Sequence, residues 1–130
     1  MSKNNINLVK EWIIKAQNDL ESAKILYREN GPTDSLCFHC HQTVEKILKG
    51  FLVSRKKEFP KIHDLILLLK LCNKINKNFK NLEEETSFLN RYYIEARYPP
   101  EITTYPKKEC REAIEFAEKI TQFTINKIYA

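Results

Sequence analysis

The chain is poor in the residues that bend a backbone, with 2 glycines and 5 prolines among its 130 residues. That scarcity excludes a turn-rich β-sandwich and a glycine-cradled phosphate loop, since both need such residues at close intervals. Long hydrophobic runs are missing too. The longest, Leu65-Ile66-Leu67-Leu68-Leu69, falls far short of the ~20 apolar residues that a membrane span requires. Met1-Ser2-Lys3-Asn4-Asn5 leads into a helix-like pattern without a signal-peptide core, so a cytoplasmic protein with no membrane contact is expected. What is present suits a packed core in a single domain over residues 1–130: 42% apolar and 30% charged side chains.

Charge is unevenly placed. Lys and Arg exceed Asp and Glu by 22 − 17 = +5 overall, yet residues 55–80 carry eight cations against Glu58 and Asp64, a local balance of +6. Such a patch attracts phosphates or an acidic partner, or else forms a solvated helix face. The four cysteines, Cys37, Cys40, Cys72 and Cys110, stand in apolar contexts and are expected as reduced thiols packed in the core.

Apolar periodicity predicts five helices in an all-α, antiparallel up-and-down bundle. The first buries Leu8, Trp12, Ala16, Leu20, Ala23 and Tyr27 and stops at Asn30-Gly31-Pro32, with the glycine suited to the left-handed cap. The second begins at Asp34 or Ser35 and buries Leu36, Cys40, Val44, Ile47, Leu48, Phe51 and Leu52. The third, capped by Asp64 and reaching about Ile75, is apolar nearly all round and is expected to be the most enclosed. Asn73 to Asn81 reads as a loop. The fourth runs from about Leu82 to Arg97 and ends at Pro99-Pro100, with Glu83, Glu84 and Glu85 at its positive pole. After a linker holding Tyr105-Pro106, the fifth carries Cys110, Ala113, Ile114, Ala117, Ile120, Thr124 and Ile128 at spacings of three and four.

Three stretches on these helices form a recognisable order: Cys37 to Lys49, His63-Asp64-Leu65, and Leu89 to Pro99. Together with Glu11-Trp12, Ala16, Asp19-Leu20 and Ala23 in the first helix, they resemble the HEPN family (higher eukaryotes and prokaryotes nucleotide-binding domain) over residues 8 to 128. The resemblance implies a helical bundle that commonly forms a homodimer and works beside a small nucleotidyltransferase, as a two-part complex or toxin–antitoxin pair. Some members are metal-independent ribonucleases with Arg, four to six residues, then His on the fourth helix. This chain departs from that motif: Ala96, Arg97 and Tyr98 follow Arg91 at those distances, and Ile102, Thr103 and Thr104 follow Arg97.

Arg91, Glu95, Arg97 and Tyr98 in place of that motif point to binding rather than turnover, with no catalytic residue assigned. A guanidinium fork grips phosphate at two points, and Tyr92, Tyr93 or Tyr98 can stack on a base or pack in a seam of the bundle. His63 is a further phosphate contact, with Lys46 or Lys49. Lys56, Lys57, Lys61 and Lys74 supply long-range attraction. The leading expectation is a non-catalytic protein that binds nucleotide or RNA phosphate. A ribonuclease toxin using a displaced histidine such as His63, and a helical adaptor without nucleotide, are the rival readings.

Cys37-Phe38-His39-Cys40-His41 matches the C-x-x-C-H haem-attachment pattern, and Cys37, Cys40 and His41 can supply three zinc ligands. Covalent haem needs an oxidising export route, and no second Cys or His pair follows to complete a zinc site. No metal or cofactor is expected.

Overall fold

The structure is a computed structural model that describes residues 2–98 and 104–130. α1 spans Lys3–Arg28, begun by Ser2, whose Oγ accepts the Asn5 amide N–H at 3.1 Å. Its core face is Val9, Ile13, Ala16, Leu20 and Ala23, so Leu8 lies in solvent, against expectation. The buried stripe is centred on Val9, Ile13 and Ala16, and half-buried Trp12 lies beside α2 (Thr33–Ser54). A Cβ built on Gly50 would sit 3.1 Å from the Trp12 Cβ, so the helices already touch there. The indole packs at the flank, edge-on to Phe59 at 6.2 Å.

α1 ends with Asn30, rather than Gly31, in the left-handed conformation (φ 55°), while the Gly31 N–H donates to Leu26 O at 2.8 Å. Gly31 is needed for space instead, since a Cβ there would meet Leu26 Cδ2 at 2.6 Å. α2 closes the same way. Lys56 takes φ 57° and the Lys57 N–H donates to Leu52 O at 2.9 Å. The adjoining Arg55 lies on the Phe51 ring and donates to Lys127 O (2.7 Å) and Ile128 O (3.4 Å) at the end of α6 (Lys107–Ile128).

α2, and not the third helix, is the enclosed element. It buries 14 of its 22 residues and packs against all five other α-helices. α3, Leu65–Ile75, buries only Leu65, Leu68, Leu69 and Cys72 and leaves Leu67 exposed. It lies at the edge because its apolar circumference is interrupted by Lys70 and Lys74, which face water. Asp64 caps it as expected, with Oδ1 accepting from the N–H of Ile66 at 2.9 Å and of Leu67 at 3.4 Å. The expected loop at Asn73–Asn81 holds the end of α3 and a 3₁₀ turn, Lys77–Leu82. Phe79 anchors that polar stretch by packing on Phe51 (4.6 Å) and Phe123 (5.1 Å) in the core.

The expected fourth helix is broken at Arg91 into α4 (Glu83–Asn90) and the single turn α5 (Tyr92–Glu95). The break accompanies the inward turn of Tyr92, which is fully buried and donates its hydroxyl to Glu109 Oε2 of α6 at 2.5 Å. The Pro99-Pro100 stop lies outside the described residues. Among those that are described, the regular elements are all helical, as expected, and no helix is long and apolar enough to cross a membrane.

Polar groups inside α2 position the chain between α2 and α3. His41 is fully buried; its Nε2–H donates to the carbonyl of His63 at 2.9 Å, and its Nδ1 accepts from the Gln42 amide at 3.3 Å. Burial lowers its pKa from 6.5 to about 4, although Glu45 and the His63 carbonyl act in the opposite direction.

Two outcomes follow for stability. Replacing Lys56 by Gly relieves a side chain held at positive φ, so thermal unfolding should rise by roughly 4 °C, for a gain of about 1 kcal/mol. The second concerns acid. Between pH 6.5 and about 4 the unfolded chain takes up a proton that folded His41 refuses, so stability is full above 6.5 and falls as pH drops through that window. The loss should reach on the order of 3 kcal/mol in urea unfolding, and His41→Gln should remove that part of the pH dependence.

Candidate functional site

The sequence-predicted residues separate into three groups. The first gathers around Tyr93. Its ring stacks on the His63 imidazole at 4.2 Å and 11°, lies 5.5 Å from the His41 ring and packs against Phe38 at 6.2 Å. Arg97 rests on this shelf, its guanidinium carbon 4.8 Å from the Tyr93 centroid, 5.3 Å from Phe38 and 5.2 Å from Tyr98. Each such contact is worth roughly 0.5–1 kcal/mol at an exposed site, and Arg97 is exposed. Among the described residues Arg97 makes no ion pair. Beside it opens a hollow of about 430 Å³ lined by Ile62, His63, Asp64, Asn90, Tyr93 and Ile94.

His63 is held at both ends. His41 grips its backbone carbonyl, and its ring Nδ1 lies 2.9 Å from Glu45 Oε1. The Glu45 carboxylate is buried and pairs through its other oxygen with buried Lys49 at 3.1 Å. With Nδ1–H donating to Glu45, the neutral imidazole carries its lone pair on Nε2, in a side chain 47% exposed. Asn90 completes the corner: its Oδ1 accepts the Leu65 N–H at 2.8 Å and its Nδ2 donates to Asp64 Oδ1 at 3.2 Å.

The second group is a clamp between α5 and α6. Arg91 donates to Glu109 Oε2 at 2.6 Å, to Glu95 Oε1 at 3.3 Å and to the Tyr92 hydroxyl at 2.9 Å. Glu95 also accepts from the Tyr105 hydroxyl at 3.3 Å, and the Tyr105 N–H donates to Thr33 Oγ1 at 2.8 Å. Burial pushes both tyrosine hydroxyls well above their ordinary pKa, and the neighbouring carboxylates push them further. Arg91 and Glu95 are thus engaged with each other and with α6, while Arg97 faces the hollow's aromatic rim.

Lys46 belongs to the third group. It meets Asp19 Oδ2 of α1 at 2.5 Å, and Asp19 Oδ1 lies 2.8 Å from His39 Nδ1. Burial works to raise the Asp19 carboxyl, but the hydrogen bonds of His39 and Lys46 outweigh it and hold the group below its usual range. Lys46 does not join His63, because neighbouring helical residues point about 100° apart and Glu45 takes the face that looks toward His63.

Cys37, Cys40, Cys72 and Cys110 are free and buried, and burial raises their thiols. His41, the last residue of the C-x-x-C-H pattern, is taken up by Gln42 and the His63 carbonyl. Among the described residues no group of three or more His, Cys, Asp or Glu is placed to hold a metal ion. Sequence reasoning missed Phe38, Asn90 and Glu109. Nothing local marks Glu109, which meets Arg91 only through the tertiary fold.

Comparison with known proteins agrees with this architecture. The family model described as "HEPN domain" matches residues 9–128. The chain is 27% identical to "Putative toxin MJ1304" of Methanocaldococcus jannaschii, an alignment covering 91% of this chain and 86% of that protein. Two crystal structures superpose with TM-scores of 0.76 and cover 92% of this chain and 97% of their own: ST0689, described as an archaeal HEPN homologue, at 25% identity, and TT1696 from Thermus thermophilus at 26%. A match running from the first core residue of α1 to the last of α6, on a bundle shared with solved relatives, places the chain in the HEPN family.

Proposed function

We propose that the whole chain, residues 1–130, acts in the cytoplasm as the HEPN half of a two-component, toxin–antitoxin type system. In this reading it is a homodimer that binds nucleotide or RNA phosphate and works with a nucleotidyltransferase partner. The observation that carries the binding role is the Arg97 guanidinium laid on the Phe38–Tyr93–Tyr98 shelf beside the hollow at His63. The fork takes two phosphate oxygens, exposed Tyr98 offers a ring face to a base, and His63 Nε2 reaches an ester oxygen or hydroxyl. The name borne by MJ1304 supports the toxin–antitoxin setting. Arg91 and Glu95 hold the shelf in place from the α6 side.

A second reading, metal-independent cleavage of RNA, is favoured by one feature: the Glu45–His63 pair. A buried carboxylate that fixes the tautomer leaves Nε2 available to take the proton of a 2′-hydroxyl as its oxygen bonds to phosphorus. The P–O5′ bond breaks, the 5′-oxygen leaves with a proton from water, and Arg97, on the same Tyr93 ring, is the cation this reading assigns to the phosphorane charge.

Titration of wild type and Arg97→Ala with adenosine nucleotides and short single-stranded RNA tests the binding role. Affinity should fall at least about tenfold in the variant, the equivalent of ~1.4 kcal/mol; equal binding by both proteins, or none by either, removes this site. Incubation of single-stranded RNA with chelator present separates the second reading. Turnover that disappears in His63→Ala and drops roughly 10–100-fold in Glu45→Gln supports it, whereas RNA left intact under saturating protein leaves binding alone.

A further inference from the structure

Among the described residues seven of the 22 Lys and Arg form an ion pair: Lys24, Arg28, Lys46, Lys49, Arg91, Arg111 and Lys119. The lysines of residues 55–80, where the local balance is +6, supply none of these pairs. Among the described residues none of Lys56, Lys57, Lys61, Lys70, Lys74, Lys77 and Lys80 pairs with an acid, while Arg55 is tied to the end of α6. Two of these lysines, Lys70 and Lys74, stand on the outer face of α3.

That face is also apolar. Its exposed ridge is Leu67, Lys70, Leu71 and Lys74, with Leu67 39% exposed. A hollow flanks each side of the ridge. One, of about 260 Å³, sets Lys70 and Lys80 around a floor of Ile66 and Leu69. The other, of about 250 Å³, sets Lys57 and Lys74 around Leu52, Leu71 and Ile75. Each hollow holds a single acid, Glu83 and Glu58 respectively, so both keep a cationic excess. Neither shares a lining residue with the hollow at His63.

We infer that the outer face of α3 is a docking surface for an acidic amphipathic helix of a protein partner, separate from the Arg97–His63 site. Lysines one helical turn apart, Lys70 and Lys74, match carboxylates at the same i, i+4 interval on a facing helix. The apolar floors accept leucine-sized side chains from between those carboxylates. No aromatic ring lines either hollow, so the platform that unpaired bases require is missing, and this favours a peptide over single-stranded nucleic acid. Desolvated apolar contact supplies the affinity, and the lysines set orientation and the rate of encounter.

The test uses three probes: a synthetic helical peptide with glutamates flanking a leucine stripe, a scrambled peptide of identical composition, and oligouridylate. Binding is followed by fluorescence anisotropy at low salt, and amide shifts locate it. The amphipathic peptide should bind at least about tenfold tighter than the scrambled one and shift Leu67, Lys70 and Leu71. Lys70→Glu/Lys74→Glu, with an unchanged circular dichroism spectrum, should weaken it at least about tenfold. Equal binding of the scrambled peptide or of oligouridylate would reduce the face to a general polyanion surface. No binding, shifts elsewhere, or indifference to the charge reversal would overturn the proposal outright.

Discussion

The Glu45 carboxylate is the constraint on which the functional corner depends. An unpaired carboxylate in the interior costs several kcal/mol, so Glu45 must be matched on both oxygens, and it is: Lys49 one turn on along α2 takes one, and His63 from the following connection takes the other. Satisfying that charge draws the α2–α3 connection back onto α2 and sets the His63 ring parallel to Tyr93. The same tie fixes the imidazole tautomer. His41 reinforces the arrangement from within the helix by holding the backbone of the residue whose side chain Glu45 holds. An entropic loop is thereby converted into a rigid corner, against which Asn90 and the start of α3 can dock.

Arginines six residues apart serve opposite ends of this design. Arg91 faces α6, where Glu109 and the Tyr92 hydroxyl absorb its donors, and it holds the broken end of the fourth helix to the bundle. Arg97 lies beyond the break and is oriented by aromatic faces alone among the described residues. Six positions along a helix set two side chains about 120° apart, so the spacing itself sends the two guanidinium groups to different sides.

The helical class, the helix order and most helix ends were legible because they rest on local chemistry: apolar recurrence at three and four, Asp64 as a cap, and a stop at Asn30-Gly31-Pro32. The break at Arg91 was not. What was misread depends on tertiary context. Periodicity says how much of a helix is apolar but not which helix occupies the centre, so α3 looked more enclosed than α2. Asn30 rather than Gly31 adopts positive φ because glycine was required one position later, against Leu26. Of the residues singled out from their pattern, His63 and Arg97 meet the same Tyr93 ring, and Tyr98 touches Arg97. Lys46 and Arg91 were legible as cations but not by destination, since Asp19 and Glu109 approach from helices remote in sequence. The tie between Glu45 and His63 spans 18 residues and leaves no local trace.

Arg55 joins the end of α2 to the closing carbonyls of α6, 72 residues later, and α2 packs along α6 as well. On the ribosome, the element that every other α-helix leans on therefore emerges early and waits for its last covering face until α6 has followed. During that interval its apolar stripe stays open to water and to other nascent chains. Such long-range closure slows folding and lengthens exposure to aggregation. The central position of α2 makes the protein vulnerable during its own synthesis.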